Sequence, residues 1–305
     1  MTHEDSAKDI KPKWLEFDPA VLRESLDRKE FFLRHNIAGH PLFSMDRLRR
    51  LAAHLGELPG EFYVDAGIST AGQRWEEAER PEDKLTDIFD RLPYEDKWVV
   101  LRRAELDPEY RELLVKCLTE LREGLGGSWG RPIWRENSII FITSPNRIST
   151  YHIDRECNFI LQIEGEKTIY IFDRNDREVL PEEEIERFWT VDNNAARYRP
   201  EFQGRAREYV LRPGCGVHVP VNAPHWVQNH DNVSITLSIN FQLTDSARAN
   251  TYRTNYYLRR MGLNPTPPGI SPLRDKVKAE LMSSALWLWR HLKGSQPWDN
   301  ERMTA

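Results

Sequence analysis

Tyr151-His152-Ile153-Asp154 opens a run that continues through Asn158-Phe159-Ile160-Leu161-Gln162-Ile163 to Glu164-Gly165-Glu166-Lys167. On a strand, side chains two apart share a face, so His152 and Asp154 point the same way. An imidazole and a carboxylate on one face are two legs of a two-His, one-carboxylate metal site, which leaves open positions on Fe(II). The chain carries nine histidines, so a lone His-x-Asp is an ordinary coincidence and needs a third ligand to mean more. His218 and His225 both lie in later β-prone runs. His225 follows the Pro-bearing turn Ala223-Pro224 and opens His225-Trp226-Val227, which makes it the preferred third ligand, with His218 as its competitor. For either, the alternative is a core histidine with a hydrogen-bonded ring.

Phe159 to Glu164 reads as a strand and Lys167 opens the next. If Gly165-Glu166 is a two-residue hairpin turn, Glu164 pairs with Lys167, and Asn158 and Lys167 face the same side. An ammonium pointing into a barrel is costly unless an anion meets it, and an organic acid cosubstrate would be such an anion. The usual fate of a Lys at a hairpin tip is the surface, and the residues alone leave both readings open.

Outward from this run, short β-prone segments alternate with turns at Ser138–Thr143, Thr168–Phe172, Glu208–Leu211, Val217–Pro220 and Val233–Leu243, as in a sandwich or barrel. The region before residue 131 reads mainly helical. Asp107-Pro108 caps and starts a helix whose apolar positions Leu113, Leu114, Cys117, Leu118 and Leu121 recur at three and four, and Gly124, Gly126 and Gly127 end it. Met45 to Leu55 has the same period, whereas Arg74 to Asp96 is charged and is expected to be exposed. Near the other end, Val277, Leu281, Ala285, Leu288 and Leu292 share a helical face beside Trp287 and Trp289. That face either packs on the barrel or forms a dimer contact. The expected organisation is a loose tail over 1–12, a mainly helical region over 13–130, a barrel over 131–250 and a helical region over 251–305.

Hydrophobic residues make up 39% of the 305, with 10 Trp, 12 Phe and 10 Tyr, enough to build a core. A net charge of −5 offers no general attraction for nucleic acid or anionic lipid. No apolar run approaches the roughly 20 residues of a membrane span, and Met1 to Ile10 lack the apolar core of a signal peptide. Three scattered cysteines, Cys117, Cys157 and Cys215, argue against a disulfide framework and for a reducing cytoplasm.

The spacing His152-x-Asp154-x3-Asn158-Phe159-x2-Gln162-Ile163-x-Gly165-x-Lys167, with His225 and Asn240 downstream, resembles the JmjC-type 2-oxoglutarate oxygenases. Within them it is similar to the factor-inhibiting-HIF-type hydroxylase subgroup. The resemblance is close over about residues 131–245 and loose over the flanking helices. It implies a fold that is mainly β with flanking helices: a double-stranded β-helix, or jelly-roll cupin barrel. It further implies that His152, Asp154 and His225 ligate Fe(II), that Lys167 pairs with the distal carboxylate of 2-oxoglutarate, and that Ser149 offers that carboxylate a hydroxyl. Asn158 and Asn240 would line the pocket as amide donors, although Asn240 is also what plain polar alternation along Ser238-Ile239-Asn240-Phe241 would produce. The Tyr that usually completes the cosubstrate site has no clear counterpart. Gly214-Cys215-Gly216 departs from a common Gly-Asp. A second class of these oxygenases places an Arg about ten residues after the last His; Ile235 stands there, which favours the Lys-anchored class.

The activity so implied is a dioxygenase that uses O2 and 2-oxoglutarate to hydroxylate a protein or peptide side chain, releasing succinate and CO2. The alternatives are oxidation of a small metabolite, N-methyl demethylation, and a non-redox cupin metal protein. The acidic insert Pro181–Gly204 could contact a basic peptide but is more simply a solvated helix and loop.

Overall fold

The computed structural model describes residues 13–67, 70–74, 85–126, 133–243 and 246–293. The expected tail, Gly127 and much of the charged stretch after Arg74 lie outside the described residues. Eight strands form two facing sheets: β5 (Ile133–Thr143), β6 (Ile148–His152), β7 (Cys157–Glu164), β8 (Lys167–Ile171), β9 (Arg207–Leu211), β10 (Cys215–Val219), β11 (His225–Asn229) and β12 (Ser234–Leu243). The chain passes back and forth between the sheets. One has the order β10-β7-β12-β5 at its centre and the other β6-β11-β8-β9, with antiparallel pairing throughout. This is the double-stranded β-helix.

The first half of the chain does more than pack helices on this barrel. Helices α1 (Pro19–Ser25), α2 (Met45–Gly56), α3 (Leu85–Arg91) and α4 (Pro108–Leu125) are joined by strands β1 (Leu15–Glu16), β2 (Phe31–His35), β3 (Phe62–Ala66) and β4 (Lys97–Leu101). Those strands extend the larger sheet on both edges to the order β1-β2-β10-β7-β12-β5-β4-β3. Lys97-Trp98-Val99-Val100-Leu101 is a β-prone run hidden behind charged neighbours, and α3 buries Ile88 and Phe89, so the expected exposure of this stretch holds only in part. α4 begins as expected: Asp107 accepts from the Glu109 amide at 3.0 Å, and Gly126 at φ +72° closes the helix.

Period-two alternation sorts the residues into three cores. On β12, Ile235, Leu237, Ile239, Phe241 and Leu243 face away from the barrel into a helical layer formed with α2 and α4. The polar set Thr236, Ser238, Asn240 and Gln242 faces the barrel interior and lines its cavity. A second core lies between the sheets (Ile160, Ile169, Ile171, Leu211, Val217, Val219, Ala223). The third covers the outside of the small sheet with helix α5 (Glu182–Thr190) and its loop, including Tyr151, Phe172, Phe188 and Trp226.

Two expectations are corrected. Gly165-Glu166 is not a hairpin turn. β7 pairs with β10 and β12, whereas β8 pairs with β11 and β9, so the turn carries the chain from one sheet to the other. Glu164 lies opposite Ile235, and Lys167 opposite Asn229 and Leu211. The face of α7 (Pro272–Lys293) bearing Val277, Leu281, Leu288 and Leu292 does not pack on the barrel; these residues are 49–75% exposed. The opposite face, with Ala279 and Met282, packs on α6 (Ser246–Arg260). Polar bonds fix that choice: Thr254 Oγ1 donates to the Lys278 carbonyl at 2.9 Å and Asn250 Nδ2 to Ser283 Oγ at 2.9 Å. Among the described residues no helix is long and apolar enough to cross a membrane.

Candidate metal centre

His152 ends β6, His225 begins β11, and the two are directly paired across the ladder. Their ring centroids are 4.2 Å apart. Asp154 lies just beyond the end of β6. Its carboxylate is 3.7 Å from His152 Nε2 through Oδ1 and 3.5 Å from His225 Nε2 through Oδ2. One donor atom from each of the three falls within 4.8 Å of the others, the one such His/Cys/Asp/Glu grouping among the described residues. The ring orientations have a local cause. His152 Nδ1 contacts the Thr150 carbonyl at 2.7 Å and His225 Nδ1 the Ala223 carbonyl at 3.0 Å. Each imidazole is thus held by a carbonyl two residues earlier, which accepts from the Nδ1–H tautomer and so favours it, and Nε2 is turned toward the carboxylate. Burial, with His152 adjacent, pushes His225 down to about 4, so it is a neutral donor at pH 7.

His218 does not join this group. On β10 the interior positions are Val217 and Val219, so His218 points the other way. It lies between Phe31 and Phe159, bonded to the Asp27 amide and the Asn158 carbonyl. It is a core histidine.

A cavity of about 390 Å³ opens from the grouping into the barrel, and Ser149, Asn158, Lys167 and Asn240 all line it with His152, Asp154 and His225. Ser149 and His152 are three apart, yet both face the cavity, because a register shift between His225 and Val227 bulges β6. Lys167 is 5% exposed, and no described residue forms an ion pair with its ammonium. Desolvation lowers it to about 7. Asn158 and Lys167 therefore do meet in one space, but from facing sheets and not from paired strands.

Along the cavity wall runs a ladder of hydrogen bonds. Ser238 Oγ donates to Asn158 Oδ1 at 2.7 Å, Asn240 Nδ2 to Asn137 Oδ1 at 3.1 Å, and Thr236 Oγ1 to Gln162 Oε1 at 2.9 Å. Sequence reading missed Thr236, Ser238, Asn137, Trp98 and Glu156, all of which line the cavity. Polar residues alternating with apolar ones on β12 were the available signal. Trp98, stacked on Phe141 at 5.6 Å, stands on an early strand, and no tyrosine is among the lining residues. Burial and the neighbouring Asp154 push Glu156 up to about 7.

No protein-family model and no curated protein matches the chain. Solved structures do. An X-ray structure of Escherichia coli YcfD aligns with a TM-score of 0.53 at 16% identity, covering 89% of this chain and 68% of that one. A crystal structure of the same protein, called a ribosomal oxygenase, aligns at 0.50 and 17% identity over 89% and 67%. A further YcfD structure, in complex with cobalt and 2-oxoglutarate, aligns at 0.50 and 16% identity over 89% and 68%. At this identity the likeness establishes a shared fold.

Proposed function

We propose that the chain is an Fe(II)- and 2-oxoglutarate-dependent dioxygenase that hydroxylates a protein or peptide side chain, with succinate and CO2 as coproducts. The observation that carries this reading is the convergence of His152, Asp154 and His225 in the cavity that also holds the buried Lys167, with which no described residue forms an ion pair. Two imidazoles and one carboxylate fit a divalent ion and leave positions free for other ligands. Fe(II) held there would supply the one-electron and O2 chemistry that no side chain can. The residues do the rest. Lys167 binds the distal carboxylate of 2-oxoglutarate as a charged partner, aided by the Ser149 hydroxyl. Asn158 and Asn240 offer amides beside the metal, and the apolar wall of Ile160, Val227 and Phe141 keeps water out. With a dicarboxylate inside, a space of about 390 Å³ leaves room for one side chain or a small metabolite. YcfD shares the fold, is called a ribosomal oxygenase and has been solved with 2-oxoglutarate, which favours a protein substrate and this cosubstrate. Cys117, Cys157 and Cys215 form no disulfide, which suits a cytoplasmic site of action, and the exposed apolar face of α7 suits a homodimer.

The test is turnover. Anaerobically reconstituted protein given O2, 2-oxoglutarate and cell extract is expected to form succinate and to add one oxygen to a peptide detectable by mass spectrometry. Lys167→Ala is expected to weaken 2-oxoglutarate binding at least 10-fold; unchanged binding contradicts the proposal.

A further inference from the structure

The metal-ligand loops are tied to helix α5 through Asn222. This residue sits in the turn between β10 and β11 at φ +61° and is 5% exposed. Its backbone amide donates to the Asp154 carbonyl at 2.9 Å. Its side-chain Oδ1 accepts from Trp189 Nε1 at 3.0 Å. The next residue, Ala223, supplies the carbonyl that orients the His225 ring. One residue therefore touches the segments carrying two of the three candidate ligands and passes their position to α5. The far end of the tie is itself fixed: the Trp189 carbonyl accepts from Arg253 Nε on α6 at 3.1 Å. A second tie runs beside it. Arg155, adjacent to Asp154, donates from Nη2 to the Phe188 carbonyl at 2.7 Å and to Asn193 Oδ1 at 2.9 Å.

We infer that the Trp189–Asn222 hydrogen bond is a positioning strut that holds Asp154 and His225 in metal-binding register. The inference rests on the metal-centre reading above. An Asn tolerates the left-handed backbone that this turn needs, as few other residues do. A bonded side chain then selects one orientation of the turn, and with it the distance between Asp154 and His225. Partners that orient metal ligands from outside the coordination sphere commonly govern affinity by 10- to 100-fold.

The variants isolate the bond. Asn222→Gly keeps the left-handed backbone free of strain while removing the acceptor, and Trp189→Phe keeps a ring while removing the donor. Co(II) titrated anaerobically into the purified full chain, read by calorimetry and by its visible absorption, is expected to bind wild type 1:1. Each variant should weaken that binding about 10-fold and shift the Co(II) absorption. The double variant should be no weaker than the worse single one, and Asn222→Asp, which keeps an acceptor, should restore the wild-type absorption. Wild-type affinity and spectrum in both single variants overturn the strut while leaving the metal centre standing. Absence of Co(II) binding to wild type, or binding unaffected by His225→Ala, overturns both. Should one variant fail to fold, the other decides alone.

Discussion

At the scale of the residue, Lys167 is the most consequential choice in the chain. Its folded-state value of about 7 lies below the ordinary 10.5 because burial strips water from the ammonium. The unfolded chain therefore binds more protons between those values, and stability rises with pH across that window. The penalty is full below about pH 7 and gone above about pH 10.5. Lys167→Met is expected to stabilise the ligand-free protein by about 2 kcal/mol at pH 7, less at pH 10, in urea unfolding. The same variant should lose 2-oxoglutarate binding, so the residue is retained at a cost to stability. A destabilised Lys167→Met protein would contradict this. Binding should also take up a proton. Calorimetry in buffers of different ionisation enthalpy is expected to show uptake near zero at pH 6 and approaching one at pH 8; no uptake at pH 8 would mean that the ammonium does not receive the ligand. The pairing of His152 with Asp154 was legible at this scale because their spacing is local. The choice of His225 over His218 was legible only by preference, since what separates them is which face of a strand each occupies. Val217-His218-Val219 shows in retrospect that the apolar pair claims the interior.

At the scale of the element, the turn after β7 explains both the best and the worst of the sequence reading. Asn158 and Lys167 were expected to share a space and do, but the pairing assumed for them was wrong. A tight Gly turn looks the same in sequence whether its strands pair with each other or with others. What marks a crossover is the structure around it. Gln162 Nε2 donates to the Glu164 carbonyl at 2.6 Å and to Ser234 Oγ at 2.9 Å, clamping the turn from within the barrel. Gly165 has φ +72°, and a Cβ there would overlap Asn232 Oδ1 and the Val233 carbonyl. Gly165→Ala is accordingly expected to cost at least about 2 kcal/mol in denaturant unfolding and to weaken 2-oxoglutarate binding by moving Lys167. A fully stable Gly165→Ala protein would show that the turn has slack. β12 teaches the reverse lesson. Its alternation was visible, but polar residues at every second position ordinarily mean solvent. Here the apolar set faces helices outside the barrel and the polar set faces a cavity inside it.

At the scale of the whole molecule, the barrel was legible and its extension was not. Strands β1 to β4 are short and buried among helix-forming sequence, and their partners lie over 100 residues away for β2 with β10. Nothing local announces such pairings. The helix over Asp275 to Leu292 was read from its apolar period and α6 was not; of the two roles left open for the apolar face of α7, packing on the barrel does not occur, because hydrogen bonds from α6 hold the small and polar side of α7 inward. Leu281, Leu288 and Leu292 remain 63%, 52% and 75% exposed. An apolar stripe of that kind is expected to close on a second copy. Light scattering should find a dimer at micromolar concentration and a monomer after Leu281→Glu with Leu288→Glu; a monomeric wild type would leave the stripe to another partner. Metal and cosubstrate should meet in one cavity, and a crystal structure grown without O2 in Mn(II) and 2-oxoglutarate tests that geometry directly. Anomalous density bonded by His152, Asp154 and His225, with the distal carboxylate of 2-oxoglutarate on Lys167, is the predicted result. Density elsewhere, or a carboxylate that makes no contact with Lys167, would contradict it.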